Sequence, residues 1–373
     1  MIAADQAVQR PADARLLVIA ADGSIRPTAR SRLIEWLRPG DLLVANDAAT
    51  LPASLFGTHE PSGGAIEVRL AGRDTLDPRS VSPFTAVVFG AGDHRARTED
   101  RAPPPTLRAG DRLLLGPLDA RVDALLGHAR LLTLRFAGTP AEIWAGLARH
   151  GRPVQYAHVP MPLALWDVWT PIAGLPVAFE PPSAGFALDW RLLSSLRARG
   201  VAFSTLTHAA GLSSTGDLQL DRRLPLPEAY RIPKVTAEAI AATRRGGGRV
   251  VAVGTTVVRA LEQAWATHGT VPPGDGLATL RIGSSTRLQV VDVLLSGTHE
   301  PDTSHHALLR AFTDDTTLRR ADRALEAEGF RTHEFGDSVW LERRDRRPVN
   351  VGPGPGATGV RPADDHREGA ASR

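Results

Sequence analysis

The sequence predicts an α/β fold interrupted by a small antiparallel β unit, a barrel or a sandwich. Three observations carry that expectation. Apolar runs alternate with helical periods over 14–57 and again over 155–343, the signature of strands layered with helices. Between them, from about 58 to 138, short β-like pieces are split by Gly and Pro. The 373 residues are enough for two domains and a sizeable core.

In chain order, residues 1–13 read as a loose arm. RLLVIAAD is strand-like, SRLIEWL a short helix with Ser31 placed to cap it, and Pro39-Gly40 turns the chain into the strand DLLVAN. The β-like pieces are GGAIEVRLAG, FTAVVFGAG, GDRLLLG, ARVDALLG and ARLLTLRFAG. Thr139-Pro140-Ala141-Glu142 is a helix start with Thr as cap, Pro at the first position and Glu closing a capping box. DWRLLSSLRARG places Trp190, Leu193 and Leu196 on one helical face and ends at Gly200. TAEAIAATRRGGG is a second helix closing on glycines, and RVVAVG follows as a buried strand. Residues 344–373, rich in Pro, Gly and charge, form a tail that cannot bury a core. A cleft between the α/β part and the β unit is the expected place for a site.

Composition removes several classes. There is no Cys, which excludes disulfides and thiolate metal sites and suits a reducing cytoplasm. No run approaches a membrane span, and the N-terminus lacks a signal-peptide layout, so a cytoplasmic chain without membrane contact is expected. Lys234 is the only lysine, so the basic side is almost wholly Arg. A formal charge of +3 is a weak field for this length, permitting nucleic-acid binding without indicating it.

Five stretches carry candidate chemistry. In GTTVVRALE the strand turns through Gly254 into a helix, an arrangement that presents N–H groups to an anion. Neither G-x-G-x-x-G nor G-x-x-x-x-G-K-[ST] is present, so dinucleotide and P-loop readings fail. Thr255 or Thr256 can cap the helix, and Arg259 faces the same way one turn on, giving a cradle for a carboxylate or phosphate. The alternative is an ordinary capped helix with Arg259 paired to Glu262. VVDVLLSGTHEPDTSHHALLRAF is a strand ending in Ser296–Asp302 and a helix from about Thr303, which puts His299 where α/β folds keep their chemistry. His305 and His306 are adjacent, diverge on a helix, and are expected as solvated residues without zinc. In FRTHEFGDSVWL, Gly336-Asp337 is a tight, hairpin-like turn whose carboxylate can orient a ligand hydroxyl or serve its own backbone. EPPSAGF offers Ser183 and the Gly185 backbone, and Asn46 and Asp47 end the strand DLLVAN.

These stretches, in this order, resemble the S-adenosylmethionine:tRNA ribosyltransferase-isomerase family of queuosine biosynthesis. Gly248–Glu262 is similar to its G-R-V-x-A-V-G-T-T-x-V-R-x-L-E, and Asp292–Phe312 keeps His299, Pro301, Ala311 and Phe312 of a second motif. Phe335-Gly336-Asp337 looks like Y-G-D, Pro182–Leu188 like P-T-A-G-L-H-F, Leu37–Asp47 like L-x-P-G-D-L-L-V-x-N-D, and Gly63–Val68 like G-G-x-x-E-V. The likeness spans roughly 14 to 343.

The resemblance implies a discontinuous α/β domain (14–57 and 155–343) that binds S-adenosylmethionine, with an inserted β-barrel (58–154). It implies an enzyme that uses S-adenosylmethionine as co-substrate and no metal, acting on tRNA; the chain is expected to be a monomer. The sulfonium acidifies the C5′ protons, a base forms an ylide, and adenine is expelled. The aminomethyl group of a deazaguanine in the anticodon attacks, and ring closure releases methionine. On chemical suitability His299, Glu228 and Asp337 are the catalytic candidates: acid or base, second proton carrier or ribose anchor, and hydroxyl ligand. Gly254, Thr255, Thr256, Arg259, Asn46, Asp47, Ser183, Gly185, Pro301 and Gly336 are the binding candidates. The chain departs from the family where basic residues are replaced by Ala49 and Ser54 and a histidine by Ala187. Those losses leave open a small-molecule acceptor, or a silent RNA- or nucleoside-binding paralogue.

Overall fold

A computed structural model describes residues 1–81, 83–299 and 303–344, so Pro301 and all but the first residue of the expected tail lie outside the described residues. A nine-stranded sheet is the frame. Its order is Gly274–Ala278, Glu228–Ile232, Ala202–His208, Leu42–Asn46, Val250–Val253, Val293–Gly297, Ser338–Glu342, Arg15–Ile19 and Ile25–Ala29. The third to sixth strands of this order run parallel, and antiparallel pairs flank them.

Side chains alternate across a strand, so each central strand feeds two cores. Leu42, Val44, Val250 and Ala252 pack with the helices Lys234–Arg245, Thr255–His268 and Asp315–Ala327. Leu43, Ala45, Val251 and Val253 pack on the other face with Leu33, Leu188 and Leu196. Burial on both faces explains why these strands read as continuous apolar runs.

The inserted unit is a closed barrel of six antiparallel strands, Ser54–His59, Gly64–Gly72, Phe84–Phe89, Arg112–Leu115, Leu118–His128 and Leu131–Phe136. It begins at Ser54, ahead of the expected boundary at 58, because SLFGTH is a strand that its glycine disguises. A Cβ on Gly57 would sit 1.9 Å from the Leu114 carbonyl oxygen, so the bare backbone is what lets these strands close. Helix Pro140–His150 starts on the expected capping box, with the Thr139 side chain accepting from the Glu142 N–H. It packs on the barrel through Gly146, which faces Leu118.

Four expectations need correction. Residues 1–13 are not a loose arm. Ile2–Ala3 pairs in parallel with Arg331–Thr332, Ala4 is buried, and Gln9 Nε2 donates to the carbonyls of Asp167 and Trp169, both at 2.8 Å. SRLIEWL is a 3-10 helix, Arg30–Trp36, with Ala29 rather than Ser31 at its N-cap. The helix Trp190–Ala198 buries Leu196 but leaves Trp190 72% exposed. Arg331–Thr332 and Ser338–Glu342 do not pair as a hairpin, since one binds the N-terminal strand and the other belongs to the main sheet. Among the described residues, no helix is long and apolar enough to cross a membrane.

Candidate active-site cleft

Parallel strands end together, so the segments that follow them meet at one edge of the sheet. There Gly254 follows Val250–Val253, His299 follows Val293–Gly297, and the segment Ala209–Leu212 follows Ala202–His208. With the loops 180–184, 224–228 and 281–285 they enclose a cleft of about 400 Å³. Among the described residues none of the barrel lines it, so it lies within the α/β part and not between the two units as expected. The barrel stands behind it, where a Cβ on Gly211 would come 2.9 Å from the Ala71 carbonyl oxygen.

Of the candidate residues, Gly254, Thr255, Thr256, Arg259, Ser183, Glu228 and His299 line the cleft together. Gly254 is the N-cap of the helix Thr255–His268, with φ of 97°, a left-handed conformation that favours glycine. No threonine side chain caps the helix, contrary to the sequence reading. The N–H groups of a first helical turn have no partner within the helix, and here that turn borders the cleft.

Arg259 is not the open anion clamp that its spacing suggested, nor does it pair with Glu262. Its guanidinium is buried and forms an ion pair with Glu228, with further donation to the Ala278 carbonyl at 2.9 Å. Glu262 instead accepts from the backbone N–H groups of Gln289, Val290 and Val291 at 2.8–2.9 Å.

Glu228 also receives the N–H of Gly211 at 2.6 Å and Nε2 of His208 at 2.7 Å. The His208 Nδ1 is buried without a partner, so the proton shared with Glu228 sits on Nε2. Burial alone would push this carboxyl upward, but Arg259, His208 and Gly211 outweigh it and hold the pKa at about 2. Glu228 is therefore a fixed anion and acceptor. It is not the second proton carrier that its residue type suggested.

His299 shares a hydrogen bond with Ser296 Oγ at 2.9 Å, and its ring lies 4.6 Å from that of His305. Burial, with the neighbouring His305, His306 and His333, holds its pKa well below the ordinary histidine value. It is thus neutral at pH 7, present in the form that can accept a proton. His305 and His306 diverge as expected but are not solvated. His305 lines the cleft, while His306 is buried with Nε2 at 3.3 Å from the Asp322 carboxylate.

The remaining candidates fall outside the cleft. Asp337 is buried and accepts the backbone N–H groups of Arg15 and Arg331, both at 2.8 Å, which leaves it no face toward a ligand. Gly336 is required because a Cβ there would meet the Arg331 carbonyl oxygen at 2.4 Å. Gly185 packs against Thr170. Asn46 is a buried brace, donating to the His208 carbonyl at 2.9 Å and to Thr256 Oγ1 at 3.3 Å, and Asp47 accepts from the Thr207 hydroxyl at 2.7 Å. Both therefore serve the edge from behind.

Sequence reasoning missed Glu180, the first residue of the EPPSAGF loop. Its buried carboxyl lines the cleft, and the Tyr156 hydroxyl donates to it. Burial pushes its pKa up to about 7, a lift that Glu334 reinforces and the hydrogen bonds from Tyr156 and Ser213 partly offset. Only the partner 24 residues back could have signalled this, and a tyrosine at that distance is no motif. Behind Glu180, His158, His333 and Glu334 bring ligand atoms within 4.8 Å of one another. The His158 and His333 rings stack 4.1 Å apart and 14° from parallel, which keeps their in-plane lone pairs from converging on one ion.

A sheet covered on both faces, a barrel inserted after one of its strands, and a polar cleft at the carboxyl edge define a two-unit α/β protein with an enzyme-type site. The chain belongs to the queuosine biosynthesis protein family, whose sequence model matches residues 1–341. It is similar to the S-adenosylmethionine:tRNA ribosyltransferase-isomerase of Anaeromyxobacter dehalogenans (strain 2CP-C), at 36% identity over 91% of this chain and 95% of that protein. The enzyme of that name from Ralstonia nicotianae is 33% identical over 87% of this chain and 86% of its own length. Among solved structures, the chain aligns with the S-adenosylmethionine tRNA ribosyltransferase of Thermotoga maritima at 23% identity, over 91% of this chain and 96% of that one, with a TM-score of 0.48.

Proposed function

We propose that this chain transfers and isomerises the ribosyl part of S-adenosylmethionine onto a deazaguanine base of tRNA, releasing adenine and methionine. The observation that carries the reading is the cleft itself. An open helix N-terminus, a carboxylate held ionised and a histidine held neutral face one space of about 400 Å³. The helix N-terminus at Thr255 and Thr256 suits the methionine carboxylate. Glu228, ionised at every working pH, suits the ribose hydroxyls and the sulfonium charge. Neutral His299 suits removal of the C5′ proton that the sulfonium acidifies.

The acceptor is assigned to tRNA on the strength of the family. Of the positions where family residues are lost, Ala49 pairs with Pro176, Ser54 donates to Glu67 at 2.8 Å, and Ala187 packs against the core below the sheet. None lines the cleft, so their loss supplies no argument for a silent paralogue. The test is to incubate the purified chain with S-adenosylmethionine and tRNA bearing the aminomethyl deazaguanine, measuring free adenine and methionine. Release of both that depends on that tRNA is expected. Release driven by a small amine but not by tRNA would reassign the acceptor, and no release with either would overturn the enzyme reading.

A further inference from the structure

The proposed reaction needs two proton transfers at the S-adenosylmethionine end: one taken from C5′ and one given to adenine as it leaves. Departing adenine carries away the electron pair of its bond to the ribosyl carbon and is a poor leaving group as an anion. Glu228 has no proton to supply, because Arg259, His208 and the Gly211 N–H hold its carboxylate ionised. His299 enters the reaction neutral and is assigned to taking the C5′ proton, so it is not the group that holds a proton at the outset.

We propose that Glu180 is the general acid of this cleft, entering the reaction protonated and giving its proton to the departing adenine. The geometry allows it. Glu180 is buried beside Pro181, Pro182 and Ser183 on the wall that also carries Gly211 and Glu228. The Tyr156 hydroxyl donates to Oε1, so in the neutral form the acidic proton belongs on the other oxygen. Tyr156 is itself held by the Ser214 N–H, which donates to its oxygen at 3.4 Å.

The charged and titratable groups around Glu180 agree with that role. Tyr156 is pushed well above its ordinary pKa by burial and then by Glu180, so it remains a donor and never an anion. Glu334, ionised and bonded to His158 at 2.8 Å, opposes a second negative charge nearby. Arg69, the cation near this group, is engaged by Glu67 at 2.7 Å, with its guanidinium over the Tyr156 ring. A carboxyl with a pKa of about 7 is matched to general acid catalysis near neutrality.

The step balances. As the bond between adenine and the ribosyl carbon breaks, its electron pair passes to adenine, and the Glu180 proton joins that nitrogen. Neutral adenine leaves and Glu180 remains as carboxylate. The acceptor amine carries one proton too many once it has bonded to the ribosyl carbon, and the carboxylate takes that proton back.

The inference rests on the ribosyl-transfer reading, and its test separates the two. Adenine release is followed in single turnovers with S-adenosylmethionine and the aminomethyl-deazaguanine tRNA between pH 5.5 and 9, each as about a half-unit series. Wild-type rates should fall as pH rises through about 7, since the acid is lost there. Glu180→Gln keeps the shape and can still accept from Tyr156. It should slow release by about 10²–10⁴-fold, leave S-adenosylmethionine binding unchanged and abolish the alkaline fall. Tyr156→Phe removes a donor that lowers the Glu180 pKa, so its alkaline limb should move to higher pH. A Glu180→Gln variant with the wild-type rate and pH profile overturns the inference alone. One that loses S-adenosylmethionine binding in proportion to rate also overturns it, as a structural role. Wild-type protein that releases no adenine overturns the ribosyl-transfer reading and this inference with it.

Discussion

Three donors converge on Glu228, and the charge they hold makes the molecule sensitive to acid. Its carboxyl titrates near 2 in the folded chain against an ordinary 4.5. A depressed carboxyl stabilises the fold above its unfolded pKa, and that contribution disappears as pH falls from 4.5 toward 2. At 1.36 kcal/mol per unit the loss is about 3 kcal/mol. Chemical unfolding measured along that pH series should show it, and Glu228→Gln should remove this part of the dependence. Arg259→Met leaves the Glu228 charge buried with its cation gone, and should cost about 3–5 kcal/mol by denaturant titration. At His299 the sign is opposite. The neutral imidazole is the working form, so activity should persist on the acid side until well below the ordinary histidine range. His299→Ala should lower single-turnover adenine release by about 10²–10⁴-fold, and full turnover in that variant would remove His299 from the mechanism. Residue types identified His299 and Glu228 but not their protonation states. For Glu228 that state depends on His208 and Gly211 from one segment and Arg259 from another, and for His299 on burial beside His305, His306 and His333.

At the scale of elements, the strand-turn-helix around Gly254 places the open N–H groups. Ala at this position must take a φ of 97°, so Gly254→Ala should cost about 1–3 kcal/mol and weaken S-adenosylmethionine binding, measurable by calorimetry. This element was legible, because an apolar run, a glycine and a helical period are local signals. Its company was not. Arg259 one turn on reads as a ligand clamp, yet the strand Glu228–Ile232 brings a carboxylate to it from far along the chain. The barrel strand Ser54–His59 escaped for a related reason. Gly57 lowers strand propensity locally, and only the neighbouring strand's Leu114 carbonyl shows why glycine is needed. Gly57→Ala should destabilise the barrel by about 3 kcal/mol or more, read from thermal unfolding.

The whole molecule was legible as two units, since alternation of strand and helix around a block of short strands survives in sequence. What could not be read was how they meet. A site between the units was the natural expectation, but the barrel core merges with Ala209, Ala210 and Leu212 and so closes the back of the cleft. The N-terminal segment looked like a loose arm because its apolar residues are mostly small alanines, yet it joins the far end of the chain through Ile2–Ala3 and braces Asp167 and Trp169 through Gln9. These contacts tie the turn at Gly336-Asp337 and the loop at 180–187 to one shell around the site.

The central claim is that the cleft holds S-adenosylmethionine with its reacting carbon between His299 and the wall of Glu180 and Glu228. A structure determined with S-adenosylmethionine bound tests this most directly. The account predicts the methionine carboxylate against the N–H groups of Thr255 and Thr256, the ribose hydroxyls toward Glu228, C5′ toward His299 and adenine toward Glu180. S-adenosylmethionine bound outside the cleft, or bound with its carboxylate away from that helix N-terminus, would contradict it.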